Sequence, residues 1–317
     1  MYCIGIDGGG SKTLAYLADM KGSIIRSKTF GPSNYQIIGE KALRSVLFEI
    51  LEYFNKGVNL TENNLKFISA GIAGLDRKKD RDKIQSIFNS LNLNTSIILN
   101  NDSYTSLAGA LENEDGVILS SGTGSIALGK KGSSYKRVGG WTHVLGDEGS
   151  GYSIGLNALK SVMKVYDGRL NASPLYYEIM NYINVDEPRE TITYAYKNLH
   201  NTKKISSITP LVYKFFKKND PLGVYLINYA VKDLVQLVTP LVNEFYSDDK
   251  GLLFTYSGSI ISELEYIKFR IIKKLQEKYP KIIPVDPIYN SGVGALIIGW
   301  DRFDVNYKKN LSNSDKA

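Results

Sequence analysis

Two stretches decide the fold: Asp7-Gly8-Gly9-Gly10-Ser11-Lys12-Thr13 and Ser120-Ser121-Gly122-Thr123-Gly124-Ser125. Each sits between apolar runs, Tyr2–Ile6 and Leu14–Ala18 for the first, Gly116–Ser120 and Ile126–Gly129 for the second. Strand, glycine turn, strand is therefore written twice, which reads as one architecture used twice. Glycines let a backbone turn sharply and approach a ligand closely, and successive amides in such a turn form a nest for an anion. Ser11 and Thr13 add hydroxyl donors, and Lys12 adds charge. One such turn alone is as well explained by a plain hairpin. Two at matching places can face one polyphosphate from both sides. Neither is a P-loop, because Ser11 separates Gly10 from Lys12 and a strand rather than a helix follows. Gly122–Ala127 also fits the dinucleotide G-x-G-x-x-A spacing, but the stretch after it reads as extended.

Working outward, Gly31–Tyr35 is a loop that opens one amphipathic helix from Ile37 to Phe54. Phe67–Ala70 and Ser96–Leu99 read as strands, Gly71–Gly74 as a turn, and Leu252–Tyr256 as a strand entering Ser257-Gly258-Ser259. A long helix from about Leu222 to Phe245 is expected to bend near Pro240. A last helix runs through Trp300, and the polar tail Lys308–Ala317 should fray. Alternating strands and helices imply α/β layers. The expected domains are 1–114 and 115–317 around a central cleft, with the last helix near 292–303 packing back on the first domain.

Asp102 sits where a strand ends and a helix begins. It is either the cap of that helix or a general base. Gly139-Gly140-Trp141-Thr142-His143-Val144-Leu145-Gly146-Asp147-Glu148-Gly149-Ser150 is the densest polar and aromatic loop. A sugar presents apolar C–H faces and a ring of hydroxyls, and a Trp beside an Asp answers both. Gly151-Tyr152-Ser153-Ile154-Gly155 matches a nucleophile elbow, but no strand precedes it and His200 is the only later histidine.

The chain has 317 residues, one cysteine (Cys3) and two histidines (His143, His200). That excludes an intrachain disulfide, a zinc finger and an iron–sulfur cluster. Net charge is +7, with 39 basic and 32 acidic residues mixed along the chain. The Lys-rich stretches Arg77–Lys83, Lys214–Lys218 and Lys268–Lys281 read as solvated faces, and no nucleic-acid motif accompanies them. No apolar run reaches membrane-spanning length, and no leader precedes the first strand, so a cytoplasmic protein is expected.

At these residues the chain resembles the actin/hexokinase/Hsp70 ATPase superfamily. More closely, it is similar to the N-acetylglucosamine kinase-like branch of the BadF/BadG/BcrA/BcrD ATPases. Asp7–Thr13 resembles the first phosphate loop, Ser121–Ser125 the second, Tyr256–Ser259 the adenosine loop, and Gly139–Ser150 the sugar-binding signature. The resemblance implies two related ribonuclease H-like domains and transfer of the ATP γ-phosphate to the 6-hydroxyl of N-acetylglucosamine, N-acetylmuramic acid or both. Asp7 would hold hydrated Mg²⁺ and Asp102 would be the base. Gly9, Gly10, Ser11, Lys12, Thr13, Gly122, Thr123, Gly258 and Ser259 would bind ATP. Asn34, Gly140, Trp141, Thr142 and Asp147 would bind the amino sugar. The adenosine loop departs from the usual double glycine, since Ser257 precedes Gly258.

The expected partners are a small amino sugar and ATP, without nucleic acid or membrane, and a homodimer is left open. The alternatives are a glucosamine kinase, a non-kinase ATPase that activates a partner protein, and a sugar sensor without turnover. A muramic acid brings a lactyl carboxylate, for which Arg77, Lys78 and Lys79 are candidate cations. The lone cysteine sets aside relatives that carry a shared cluster or a cysteine-rich zinc motif.

Overall fold

The computed structural model describes residues 1–61, 63–91, 93–247 and 250–311. The chain divides into two compact units, Met1–Asp115 with Val285–Ala317, and Gly116–Pro284.

The first unit runs β1 (Tyr2–Gly8), β2 (Thr13–Asp19), β3 (Ile24–Phe30), α1 (Tyr35–Ile38), α2 (Glu40–Asn55), β4 (Leu65–Ile72), α3 (Lys78–Asn89), β5 (Ser96–Asn100) and α4 (Asp102–Leu111). The second runs β6 (Gly116–Ser121), β7 (Ser125–Lys131), β8 (Ser134–Gly139), α5 (Thr142–Leu145), α6 (Gly151–Tyr166), α7 (Pro174–Ile183), α8 (Glu190–Asn198), α9 (Thr202–Ser206) and α10 (Thr209–Phe216). It continues with α11 (Pro221–Phe245), β9 (Leu252–Ser257), α12 (Ser259–Glu263), α13 (Glu265–Lys278) and β10 (Ile282–Pro284), and the chain returns to the first unit with α14 (Ser291–Arg302).

The sheets are ordered β3-β2-β1-β4-β5 and β10-β9-β6-β7-β8. In each, an antiparallel three-strand meander is extended by two strands parallel to its first member. The two units thus share one topology, as the repeated hairpin predicts.

Strand alternation sorts the first sheet into two faces. Ile4, Ile6, Ala15 and Leu17 pack with Leu43, Leu47, Ile50 and Phe54 of α2 and Ile84 of α3. Cys3, Ala18 and Phe67 point the other way, onto Val293, Leu296, Ile297 and Trp300 of α14. Trp300 is fully buried, and its indole N–H donates to the Asp19 carbonyl at 3.1 Å. Burial pushes the Cys3 thiol up, so it is inert packing. The second unit has one core, in which Val117 and Leu119 of β6 meet α6, α7, α10 and α11.

The long helix α11 spans Pro221–Phe245 with Pro240 inside it. Two details differ from the sequence reading. The helix expected from Ile37 to Phe54 is two helices, because Gly39 at φ +81° breaks the backbone between α1 and α2. Part of the polar tail is docked, with Asn310 donating to the Lys21 carbonyl at 2.6 Å and Leu311 packed near Trp300. Residues 312–317 of that tail lie outside the described residues.

Candidate active site

Strand register gathers the candidate residues of the first unit. In the parallel ladder Asp7 pairs with Gly71, and Gly71 pairs with Asn100. The turns that follow β1, β4 and β5 therefore emerge at one edge, the carboxyl ends of parallel strands where α/β sheets bind ligands. Asp7 lies at that edge, and its Oδ2 accepts a hydrogen bond from the Ser291 hydroxyl at 2.6 Å. Burial pushes the Asp7 carboxyl up to about 6, against the pull of Ser291 and of the Lys12 charge.

The first hairpin closes through the Gly9 amide, which donates to the Lys12 carbonyl at 3.0 Å. The Gly9 carbonyl accepts from the amides of Ser33 and Asn34 at 3.0 and 3.2 Å. Among the described residues no backbone acceptor meets the amides of Gly10, Ser11 or Lys12, and Ser11 and Lys12 are exposed. These are the donors of an anion nest.

Thr13 is fully buried, its hydroxyl donates to the Gly31 carbonyl at 2.6 Å, and Ser33 Oγ lies 2.9 Å away, which ties the base of the hairpin to the loop before α1. Asn34 caps α1, its Oδ1 accepting from the Gln36 amide at 3.1 Å, which leaves its amide NH₂ for another partner.

The capping reading of Asp102 is also settled. The cap of α4 is Asn101, whose Oδ1 accepts from the Ser103 amide at 3.0 Å and the Ser103 hydroxyl at 2.7 Å. Asp102 is the first helical residue, and its carboxyl also feels the amides of Ser103 and of its own residue, which draw it down. Burial, then the charges of Asp7 and Asp76, push it up to about 7. Two carboxyl groups, Asp7 and Asp102, are thus held on one edge, with the charge of Asp7 acting on Asp102. That fits a hard cation carried by oxygen donors and water. Among the described residues no group of three His, Cys, Asp or Glu forms a cage for a metal. One or two carboxylates with water and a phosphate are a donor set that Mg²⁺ commonly takes.

The second unit carries its own glycine hairpin. The Gly122 amide donates to the Gly124 carbonyl at 2.9 Å, closing the second hairpin. Its outer carbonyls cap a helix: Gly122 accepts from the Gly151 amide at 2.8 Å and Thr123 from the Tyr152 amide at 3.2 Å. Thr123 is exposed at the tip. Ser120 pairs with Ser257 across β6 and β9, their hydroxyls 2.6 Å apart, so the turn after β9 emerges beside the hairpin. Gly258 there has φ +88°, and a side chain on it would start 2.5 Å from the Ser121 carbonyl oxygen. Only glycine meets both demands. Ser259 begins α12 and is exposed.

The polar loop folds back on this hairpin. Asp147, at φ +59°, accepts from the Ser125 amide at 3.1 Å through Oδ1, and Ser125 Oγ donates to the Glu148 carbonyl at 2.7 Å. Burial raises the Asp147 carboxyl, while the Ser125 amide draws it down. Trp141 is 53% exposed, with the Arg137 guanidinium 4.3 Å from its ring centre. Arg137 also donates to the carbonyls of Gly139 and Gly140, which fixes the base of the loop. Thr142 is exposed at φ +74°. An exposed, stacked Trp beside a held carboxylate is a sugar platform in form. The Gly151–Gly155 elbow spacing falls in the first turns of α6 and has no catalytic geometry.

Sequence reasoning missed a cleft of about 480 Å³ on the second unit. It is lined by Thr123, Ser206, Thr209, Tyr213, Ser259 and Glu263, with Lys203 and Lys214 at its margin. The second hairpin stands at one end, and α9, α10 and α12 form the walls. Its size suits a nucleoside. Nothing local in Thr202–Phe216 signals a ligand.

The BadF/BadG/BcrA/BcrD ATPase family profile matches residues 4–299. The chain is 34% identical over 307 residues to the N-acetylmuramic acid/N-acetylglucosamine kinase of Clostridium acetobutylicum, covering 96% of this chain and 99% of that protein. It superposes on a solved structure from Chromobacterium violaceum with a TM-score of 0.75 at 24% identity, over 94% of this chain and 98% of that one. A ROK family glucokinase from Streptomyces griseus, solved with glucose and AMPPNP, gives a TM-score of 0.54 at 15% identity, over 93% and 98% of the two chains. The fold is that of these two-domain actin-like ATPases.

Proposed function

The chain belongs to the BadF/BadG/BcrA/BcrD ATPase family, and from that premise we propose that it is an amino-sugar kinase. It moves the γ-phosphoryl group of ATP to the 6-hydroxyl of N-acetylglucosamine, N-acetylmuramic acid or both. The observation that carries this reading is Asp102. Its carboxyl is not the cap of α4, and burial, then the charges of Asp7 and Asp76, raise it to about 7. A base matched to neutral pH can take the hydroxyl proton as the oxygen attacks phosphorus.

The other roles follow from the chemistry of each group. The amides of Gly10, Ser11 and Lys12 suit phosphate oxygens, and so does the tip Gly122–Thr123. Asp7 would hold Mg²⁺ through water or directly, and the ion, when bound, offsets phosphate charge. Ser259 borders the cleft that suits adenosine, and Gly258 turns the chain just before it. Asn34, Gly140, Trp141, Thr142 and Asp147 would grip the sugar, Trp141 by its face and Asp147 by its free oxygen. Holding acceptor and donor in place, with charge stabilisation, then supplies most of the rate.

The reaction belongs in the cytoplasm on this reading; among the described residues no helix is long and apolar enough to cross a membrane. The test is ATP consumption measured against a panel of amino sugars. Turnover should depend on N-acetylglucosamine or N-acetylmuramic acid. ATP hydrolysis indifferent to every sugar would overturn the kinase reading in favour of an ATPase that drives a partner protein.

A further inference from the structure

The turn after β4 links the proposed sugar ligand to the proposed base within the first unit. Gln36 Nε2 donates to the Gly74 carbonyl at 3.3 Å, and a side chain on Gly74 would start 3.5 Å from Asn34 Oδ1. At its other end, the charge of Asp76 reaches Asp102. A sugar that spans Asn34 and Asp102 therefore lies along this turn. The next residue is Arg77.

Arg77 is unusual among the cations of this stretch. Its side chain is 75% exposed, yet its Nε and Nη2 donate to Asp80 at 2.7 and 3.1 Å. Asp80 is 3% exposed, and it also accepts from the Tyr35 hydroxyl, one residue from Asn34. The Arg77 fork lowers the Asp80 carboxyl, with the Tyr35 hydrogen bond acting the same way. An exposed guanidinium normally loses rotamer freedom when it binds. Here a buried carboxylate already holds it. Lys83 is spent on Glu40 and Arg81 on the Leu99 carbonyl, while Lys78 and Lys79 are exposed point charges that keep the local potential positive. A planar fork fixed along one edge is the group that recognises a carboxylate by geometry.

We propose that Arg77, held by Asp80 and Tyr35, is a specificity-determining residue that reads the carboxylate of an acidic amino sugar. This rests on the amino-sugar kinase reading above. It selects Arg77 from the three candidate cations and assigns Asp80 and Tyr35 as its positioning residues.

The experiment compares N-acetylmuramic acid with N-acetylglucosamine in the full-length chain at saturating ATP. Arg77→Met keeps the apolar stem and removes the fork. It should raise the ratio of KM for N-acetylmuramic acid to KM for N-acetylglucosamine by about tenfold, the effect of one lost charged contact. Arg77→Lys should recover only part of that ratio, and Asp80→Asn should raise it less than Arg77→Met does. Calorimetric binding of N-acetylmuramic acid to the wild type and to Arg77→Met reads the same contact without turnover. An unchanged ratio, full recovery by lysine, or a wild type that phosphorylates N-acetylglucosamine and does not bind N-acetylmuramic acid overturns the role of Arg77. A wild type that phosphorylates neither sugar strikes the kinase reading, and the binding measurement still decides Arg77.

Discussion

Asp102 takes its chemistry from its neighbour. Asn101 caps α4 by taking the Ser103 amide, while burial, then the charges of Asp7 and Asp76, push the Asp102 carboxyl up to about 7 against the amides of Ser103 and Asp102. Asp102→Asn should lower turnover by about 10²–10⁴-fold with ATP affinity kept; near-normal turnover would remove it from the mechanism. Stability gives a second reading. In the metal-free folded protein the group holds its proton up to about pH 7, and in the unfolded chain only to 3.8. Its contribution is fully present below the unfolded value and is lost as pH rises through about 7. Asp102→Asn abolishes that dependence. The Tm advantage of the variant over the metal-free wild type should therefore be larger at pH 8 than at pH 5, and equal advantages would contradict the raised pKa. Asp102 was legible as a strand-end carboxylate but open between two roles, since only side-chain geometry shows which residue caps. The burial of Thr13 was not legible, because the acceptor of its hydroxyl, Gly31, lies 18 residues away.

At the scale of elements, turns and caps hold the site to the sheet edges. Gly258→Ala places a methyl carbon 2.5 Å from the Ser121 carbonyl oxygen in a left-handed backbone. It should cost about 1–3 kcal/mol and shift the turn beside the second hairpin. The KM for ATP should rise and Tm should fall, and no change in either would mean the turn has room to spare. Asn290 caps α14, accepting from the amides of Gly292 and Val293, and its side-chain NH₂ donates to Tyr16 at 2.8 Å. Asn290→Ala should cost about 1 kcal/mol in denaturant unfolding. It also loosens the helix whose first residue, Ser291, touches Asp7. Both hairpins were legible because glycine turns are local. The edge strands β3 and β8 were not singled out, since both are polar and half exposed along their length. Nor were the helices that wall the nucleoside-sized cleft, because their ligand-facing residues come from three separate elements.

At the scale of the molecule, the first unit is discontinuous in sequence. Its sheet needs Val285–Ala317, which covers the Cys3 and Phe67 face with Val293, Leu296, Ile297 and Trp300. Losing one buried Trp typically costs about 3–5 kcal/mol, and this segment removes several core residues at once. A chain ending at Pro284 should therefore leave Met1–Asp115 unfolded, while Gly116–Pro284 keeps its own core. Limited proteolysis with mass spectrometry reads this directly, as rapid cleavage confined to the first unit. Protection of residues 1–115 in the shortened chain would show that the first sheet folds without α14.

The sequence alone determined the repeated hairpins, the α/β layering, the loop Gly139–Ser150 and the carboxylates Asp7 and Asp102, because each is written in a few adjacent residues whose backbone demands are local. The tertiary structure decided the rest. It buried Thr13, gave the cap of α4 to Asn101 and set Asp80 behind Arg77. Each of those outcomes depends on which distant side chain fills a given space or takes a given proton. Only packing in three dimensions fixes that, because the partners are far apart in the chain and their choice is made by burial rather than by neighbouring residues.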